Sequence, residues 1–292
     1  MPVTVRKIGR SVPNELLPVA ITDPAELAVR DIPSLSLWMR QRRATYQGLV
    51  EARPFAWRDY TALKPMAPTG TGLAPRPLRD AREFLAFGQG GALTPTDNGA
   101  LESPAGLSLR NGTSVTLMAA VRVPANGGGA VIGAKLAQSA VADQSANLRW
   151  WGLRIGYGSV PGRAVFQFNG DQRIAGAPTG SSAVDYRDGR WHLLTGIFNH
   201  AAGVPDNQTV ELRVDGVRVA LTTNTSVVRA FNPTTGTEEV RIGAAGAVGD
   251  AALSLHFVGD LGDALLFNEA LPEATLAMVE GAIMAKYPPL SA

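Results

Sequence analysis

Cysteine is absent from this chain of 292 residues. Disulfide bonds and thiolate metal sites are therefore excluded. Charge is scarce as well: Asp, Glu, Lys and Arg make up 18% of the residues, and the formal net charge is +2. So small a net charge gives no reason to expect nucleic acid as a partner. No apolar stretch approaches the roughly 20 residues of a membrane-spanning helix, so no membrane span is predicted.

Glycine and proline are abundant, with 32 and 20 residues respectively. Many turn-forming residues combined with few charges favour short strands over long helices. About a dozen strand-like segments follow one another at spacings of about 8–15 residues, without helices between them. We therefore predict an all-β fold, an antiparallel sandwich of two sheets.

Two segments give the strongest strand signals. Along residues 114–123 apolar residues alternate with others, which predicts a strand with one face in the core. Residues 188–199 differ because both faces are apolar, with Trp191 on one face and Leu194 on the other. A strand with one wet face would not have this composition. This strand should lie mid-sheet, with its second face shielded by loops or forming the floor of a concave sheet.

The clearest hairpin turns at Asp215-Gly216, a dipeptide typical of two-residue type I′ loops. The register set by this turn places Val210 opposite Leu221 at the far end of the hairpin. It also places Arg213 opposite Arg218 on the outer face, a like-charge pair that costs roughly a few tenths of a kcal/mol.

Three motifs of the chain match those of a known family. They are a D-G-x-W-H strand that starts at Asp188, an L-x-V-D-G hairpin that starts at Leu212, and a closing segment from Gly259 to Leu271. In these motifs, and more loosely over about residues 33–287, the chain resembles the laminin-G-like, concanavalin A-like jelly rolls. The resemblance implies an antiparallel two-sheet jelly-roll sandwich. It leaves the function open, because this fold hosts lectins, adhesion modules, glycosidases and virion proteins.

The chain then divides into an N-terminal arm, residues 1–32, and a jelly-roll domain, residues 33–292. The arm is interpreted as a docking or anchoring segment. It contains a short predicted helix with Asp23 as its N-cap, Pro24 as its first residue and Glu26 as its third. A second short helix should close the domain, because apolar residues recur there at helical spacing. These residues are Leu276, Val279 and Ile283.

A catalytic role is not expected. Retaining glycosidases of this fold often carry an E-x-D-x-x-E string, which places two carboxylates about 5 Å apart on one face. No such string exists here: Glu238 and Glu239 are adjacent and face opposite ways, and Asp260 and Asp263 have opposite parity. A G-x-S-x-G nucleophile elbow and histidine pairs at zinc spacing are also missing. We therefore predict no catalytic residues and no enzyme, with a carbohydrate-active enzyme of this fold as an alternative.

Sugar binding is the positive prediction. Sugars dock on exposed aromatic rings flanked by polar side chains. Trp150 shares its strand face with Gly152, which leaves the neighbourhood of the ring open. The predicted carbohydrate-binding residues are Trp150, Arg154, Asn169 and Asp171. Alternatively, Trp150 packs under a loop or at a subunit contact.

Calcium is the candidate metal, because it is the common metal of the resembled family and takes oxygen ligands from loops. The candidate ligands are Asp97, Asp143, Asp206 and Asp250. The alternative is that these residues only form turns, since none belongs to a dense acidic cluster. No cofactor is required.

The N-terminus shows no apolar signal-peptide region, so assembly in a host cytoplasm is expected. An adhesion-type fold without an export signal fits a tailed-bacteriophage virion protein. We predict a non-enzymatic virion surface protein, of head or tail, whose lectin-like jelly roll attaches to host-cell polysaccharide. Residues 1–32 would contact other virion proteins, and a homo-oligomer, specifically a trimer, is expected. The alternative is a purely structural capsid or tail decoration protein that binds no sugar.

Overall fold

The computed structural model describes residues 23–47, 53–59, 65–69, 76–78, 84–87, 100–102, 114–135, 150–157, 160–168, 171–175, 184–199, 210–223, 239–244 and 256–287. Its elements, in chain order, are α1 (Pro24–Arg30), β1 (Leu35–Gln47), β2 (Arg53–Asp59), β3 (Pro65–Thr69), β4 (Arg76–Leu78), β5 (Phe84–Phe87), β6 (Ala100–Glu102), β7 (Ser114–Arg122), β8 (Gly129–Lys135), β9 (Trp150–Tyr157), β10 (Val160–Phe168), β11 (Asp171–Ala175), β12 (Trp191–Asn199), β13 (Val210–Val214), β14 (Val217–Arg218), β15 (Leu221–Thr223), β16 (Glu239–Ile242), β17 (Gly259–Phe267) and α2 (Glu273–Met284).

The strands form two antiparallel sheets. In the first sheet the strands follow the order β4, β5, β17, β7, β12, β13, β14. In addition, β1 pairs with the second half of β17, and β2 pairs with β1. In the second sheet the order is β15, β11, β10, β9, β8, β16, β6. The first half of β3 pairs with β2 and its second half with β6, so this strand joins the two sheets at one margin. The predicted two-sheet antiparallel sandwich is confirmed.

The inter-sheet core is filled by alternate residues of both sheets, as the period of two in a strand requires. In β7 these residues run from Val115 to Val121, which confirms the face predicted for residues 114–123. The second sheet contributes Leu153 and Phe166, among others. Gly196 lies opposite Phe166, and a Cβ at Gly196 would be 2.6 Å from the phenyl ring. A residue without a side chain is therefore needed there for the sheets to approach this closely.

The outer face of the first sheet is covered by α1 and α2. Trp191, Leu193 and Ile197 of β12 are buried in this second cluster, together with residues from both helices. The helical stripe predicted near the C-terminus is confirmed and faces the sheet. The residues of the stripe are Leu276, Val279 and Ile283. Two short helices, rather than loops or an open concave floor, thus explain why β12 is apolar on both faces.

The first helix lies within the predicted arm but packs on the domain. Asp23 caps it as predicted, accepting a hydrogen bond from the Ala25 N–H at 2.8 Å. Glu26 and Asp263 of β17 both pair with the Lys286 ammonium, which also lies 5.1 Å from the Trp38 ring centroid. The boundary at residue 32 therefore does not separate α1 from the sandwich, and residues 1–22 lie outside the described ranges. The docking role of residues 1–32 stays a prediction.

The predicted hairpin forms only in part. Asp215 and Gly216 both have positive φ, 54° and 75°, as a type I′ turn requires, and Arg213 pairs with Arg218 as predicted. The predicted pair of Val210 with Leu221 is wrong, because Leu221 pairs with Ala175 of the second sheet. The chain leaves the hairpin after Val219, whose N–H still binds the Leu212 carbonyl at 3.0 Å.

Replacing Gly196 with alanine should destabilise the fold by about 1–3 kcal/mol, because the new methyl group meets Phe166 across the core. Denaturant unfolding followed by circular dichroism measures this change. The matched control is Gly281→Ala on the exposed side of α2, where a Cβ meets nothing within 4 Å. There we expect a gain of roughly 0.5–1 kcal/mol from helix propensity. Equal stabilities of the two variants would contradict this account of the core.

Candidate functional site

The Asp188-Gly189 turn fixes the start of β12. Gly189 has φ 76°, a conformation that glycine adopts without strain. Its N–H donates to the Val123 carbonyl at 3.0 Å, at the end of β7. The Arg190 N–H donates to Asp188 Oδ1 at 2.8 Å, closing an Asx-type turn. The turn therefore places the following residues of β12 in a fixed register.

His192 brings two of the three sequence motifs together. Its Nδ1 lies 2.7 Å from Asp215 Oδ2, and its Nε2 lies 3.2 Å from Asp188 Oδ1. The other oxygen of Asp215 accepts the Leu193 N–H at 2.8 Å. The Tyr186 ring meets the imidazole edge-to-face, with centroids 5.3 Å apart. We call Asp188, His192 and Asp215 the histidine clamp.

The charges in the histidine clamp favour the imidazolium. Ionised carboxylates only accept hydrogen bonds, so both ring nitrogens must donate to satisfy both contacts. Burial alone would lower the pKa of His192, but the hydrogen bonds and charges of Asp215 and Asp188 outweigh it and raise the pKa above 6.5. Burial would raise the pKa of Asp188, yet the bonds from Arg190 and His192 hold it below its ordinary value.

The geometry of the clamp suits positioning better than proton transfer to a ligand. Both ring nitrogens of His192 are engaged by carboxylates, so neither faces an incoming group. Burial, then the charge of Asp215, raises the pKa of the Tyr186 hydroxyl, which keeps this neighbour neutral. Sequence reasoning placed His192 only within the D-G-x-W-H motif. The signal that could have found the clamp is the pair of Asp-Gly turns in the two motifs.

A second charged cluster lies between the first sheet and α2. Arg213 is buried, and its guanidinium pairs with Glu273 at 2.9 Å, Glu280 at 3.2 Å and Glu211 at 3.3 Å. It also donates to the Gly216 carbonyl at 2.8 Å. Burial raises the pKa of Glu280 against the opposing charge of Arg213. The outer face of this hairpin is thus covered by α2 at Arg213.

The outer face of the second sheet carries the predicted sugar-binding position. Trp150 begins β9, in register with Lys135 of β8, and Gly152 pairs with Gly133. Arg154 does not fit the predicted surface site, because it is only 2% exposed and stands opposite the buried Val165. The side chain of Arg154 is therefore covered by other parts of the chain.

The remaining predicted sugar contacts fall differently. Asp171 pairs with Phe168, two residues from the core residue Phe166, so its register position belongs to the face that looks toward the other sheet. Asn169 lies outside the described residues. The structure therefore does not bring Trp150, Arg154 and Asp171 to one open surface.

The predicted calcium ligands are not described. Asp97, Asp143, Asp206 and Asp250 all lie outside the described ranges. Within those ranges, no group of three or more His, Cys, Asp or Glu residues is arranged to hold a metal ion. Calcium binding stays a prediction. In the same part of the chain, no helix has the length and hydropathy needed to cross a membrane.

The two carboxylates of β17 are engaged by different cations. Asp260 accepts from Arg122 Nε at 2.8 Å, and Arg122 also lies 5.3 Å from the Trp191 ring centroid. Asp263 is fully buried and accepts from Lys286 Nζ at 2.5 Å. Both carboxylates nevertheless lie on the helix-covered face of the sheet, since Arg122 is next to Trp191 and Lys286 is next to Trp38. The prediction from parity that Asp260 and Asp263 lie on opposite faces is therefore wrong, because the pairing register of β17 shifts between Leu261 and Ala264.

Because the pKa of His192 is raised on folding, its contribution to stability is complete below pH 6.5 and is lost as the pH rises through the folded-state value. The free energy of unfolding of the wild type, minus that of His192→Gln, should therefore be largest just below pH 6.5 and shrink at alkaline pH. Urea unfolding over a pH series measures it. A difference that grows with pH would contradict a protonated clamp.

Three comparisons place the chain among known proteins. Residues 95–277 match the laminin G-like family model described as the concanavalin A-like lectin/glucanases superfamily. No curated protein matches. Among solved structures, the chain is similar to a Trypanosoma rangeli sialidase in complex with sialic acid, with a TM-score of 0.51 and 15% identity over 87% of this chain and 34% of that one.

Neurotoxin domains share the fold as well. The binding domain of botulinum neurotoxin DC in complex with rat synaptotagmin II has a TM-score of 0.50 and 11% identity, over 86% of this chain and 52% of that one. A structure of botulinum neurotoxin type C, whose cell entry is described as dependent on two ganglioside molecules, has a TM-score of 0.50 and 10% identity, over 88% and 53% of the two chains. The chain thus spans about a third of the sialidase and about half of the toxin structures. Identities this low show a shared fold.

One prediction needs correction here. The expectation that the chain is not an enzyme is contradicted by the sialidase among these structures, since the fold is shared by an enzyme as well as by binding domains. The resemblance read from the three motifs is confirmed, and its residues from Asp188 to Leu271 lie inside the matched range. Because that range covers more than half of the sequence, the chain belongs to the concanavalin A-like lectin/glucanases superfamily.

Proposed function

We propose that the protein binds glycan on the outer face of its second sheet, at the end where β9 begins. The observation that carries this proposal is the asymmetry of the sandwich. The helices α1 and α2 bury the outer face of the first sheet, in a family of lectin-type folds. On the outer face of the second sheet Arg154 and Arg241 are buried, so a ligand would bind at the end of the strands, where Trp150 starts β9.

The strand pairing supports placing the ligand at the end of the second sheet where β9 begins. Three paired residues form one row across three neighbouring strands, which we call the Trp150 row: Glu239, Lys135 and Trp150. Two residues further along these strands, on the same face, Gly133 pairs with Gly152, and both glycines are buried. A tryptophan at the end of a row that contains two ionisable positions is a composition suited to a sugar ring with its hydroxyl groups.

The solved structures support the same ligand class. One of the sialidase structures is a complex with sialic acid, and a toxin structure is described by its interaction with two ganglioside molecules. Both molecules are carbohydrates or carry them, and both proteins share the fold of this chain. Glycan is therefore the ligand class that we propose, with the residues of the Trp150 row as its contacts.

The proposed carrier of this module is a bacteriophage particle. Support comes from a cysteine-free chain that carries a lectin-type sandwich behind an N-terminal region, residues 1–32, of which α1 packs on the sandwich. In this proposal that region contacts other virion proteins and the sandwich faces the host cell, as a homo-oligomer. Mass spectrometry of purified particles of the phage that encodes this gene should find the chain among the virion proteins. Absence of the chain from the particles would rule out the proposed virion role.

Glycan-array binding tests the sugar site. Trp150→Ala should reduce binding about five- to thirtyfold, since stacking on an aromatic ring contributes on the order of 1–2 kcal/mol. Trp150→Phe keeps an aromatic face and should retain part of the binding. The control is Met278→Ala, which changes an exposed residue of α2 on the opposite side of the sandwich and should bind as the wild type does.

Thermal unfolding checks that each variant is folded. If folded Trp150→Ala binds as well as the wild type, the Trp150 row is not the contact. If the wild type binds no glycan on the array, the purely structural role replaces the proposal.

A further inference from the structure

The two carboxylates of the histidine clamp hold His192 unequally. The Nδ1 contact to Asp215 is the shorter, at 2.7 Å against 3.2 Å for Nε2 and Asp188. Asp215 is also fixed by the Leu193 N–H at 2.8 Å, and its own N–H donates to the Leu193 carbonyl at 2.9 Å. Asp188 receives one further hydrogen bond, from the Arg190 N–H within its own turn. Asp215 is therefore the better-anchored acceptor.

We propose that the Asp188-Gly189 turn is the pH-released half of the histidine clamp. When the imidazolium loses a proton to solvent, one N–H remains, and it stays on Nδ1 with Asp215. The lone pair of Nε2 then faces the Asp188 carboxylate. Two acceptors at 3.2 Å repel each other, so the attraction that held the turn becomes a repulsion.

The released turn belongs to a segment that bridges the two sheets. The Tyr186 N–H donates to the Gly162 carbonyl of β10, in the second sheet, at 2.9 Å. The Gly189 N–H donates to the Val123 carbonyl, just after β7 of the first sheet, at 3.0 Å. Residues 184–190 therefore connect the sheets at this edge, and the Asp188 contact is the side-chain bond that ties their turn to β12. Loss of that bond loosens the bridge.

The hairpin on the other side of the clamp has its own anchors. Arg213 donates to the Gly216 carbonyl at 2.8 Å, and Leu193 holds Asp215 through both backbone groups. None of these bonds uses the imidazole. Deprotonation of His192 should therefore loosen residues 184–190 and leave the Asp215-Gly216 hairpin in place. Only one of the two segments that contact the imidazole is expected to respond.

Other charged groups near the clamp do not cancel this response. Arg190 lies 3.8 Å from Asp188 and is half-exposed, so it stays with the carboxylate in both protonation states. Arg187 is committed to Asp185, with Nη2 and Oδ2 2.6 Å apart. The Tyr186 hydroxyl is neutral over the range in which His192 titrates, because burial raises its pKa. His192 is thus the titrating group of this surface near neutral pH.

Nuclear magnetic resonance of the full chain tests the proposal. In the wild type, the amide signals of Gly189 and Arg190 should shift with the same midpoint as the His192 ring, and the amide of Gly216 should not. Nitrogen shifts of the neutral ring should report the Nδ1–H tautomer. These wild-type measurements need no variant to fold.

Asp188→Asn supplies the decisive comparison. An amide at this position has both donors and an acceptor, so it satisfies either form of Nε2. We expect the His192 midpoint to move to lower pH in this variant and the Gly189 signal to stop following it. Asp185→Asn is the matched control, because it removes a neighbouring carboxylate outside the clamp, and it should leave the His192 midpoint and the Gly189 response unchanged.

Three results would overturn the proposal. They are Gly189 and Arg190 signals that do not follow His192 in the wild type, a neutral ring protonated on Nε2, and an unchanged His192 midpoint in Asp188→Asn. Glycan binding plays no part in these measurements, so the release of the turn stands or falls separately from the proposed sugar site.

Discussion

The architecture depends on covering both faces of the first sheet. Its central strand β12 turns Leu194 and Phe198 into the inter-sheet core, and Trp191 and Leu193 toward the two helices. Burying one such side chain contributes about 1.5–3 kcal/mol. Without α1 and α2, a whole row of apolar residues would be exposed to water. The helices are therefore part of the fold rather than appendages.

Local patterns in the sequence were sufficient to predict much of this fold. The alternation in β7, the type I′ turn at Asp215-Gly216 and the capped helix that starts at Pro24 each depend on neighbouring residues. Leu221 could not be placed in this way, because its transfer to the second sheet depends on competition between two distant partner strands. The cover over β12 was also unpredictable, since it comes from residues about 80 positions later and from a segment that looked like a free arm.

The candidate sites show the same division between local and distant contacts. The D-G-x-W-H and L-x-V-D-G motifs were recognised, but the hydrogen bond between His192 and Asp215 spans 23 residues and was not predicted. Arg154 was assigned to the surface by strand parity alone. Parity separates the two faces of a regular strand, yet it does not tell which face the rest of the chain covers, and Arg154 is buried.

The two ion pairs of Lys286 determine how a force applied at the N-terminal end of the chain is transmitted to the domain. Tension on the chain before residue 23 reaches the sandwich first through α1. Glu26 passes part of that load to Lys286, which Asp263 connects to β17. Because β17 pairs with β1, β5 and β7, a pull on the N-terminal end is shared by strands in the middle of the sheet and does not unzip an edge strand.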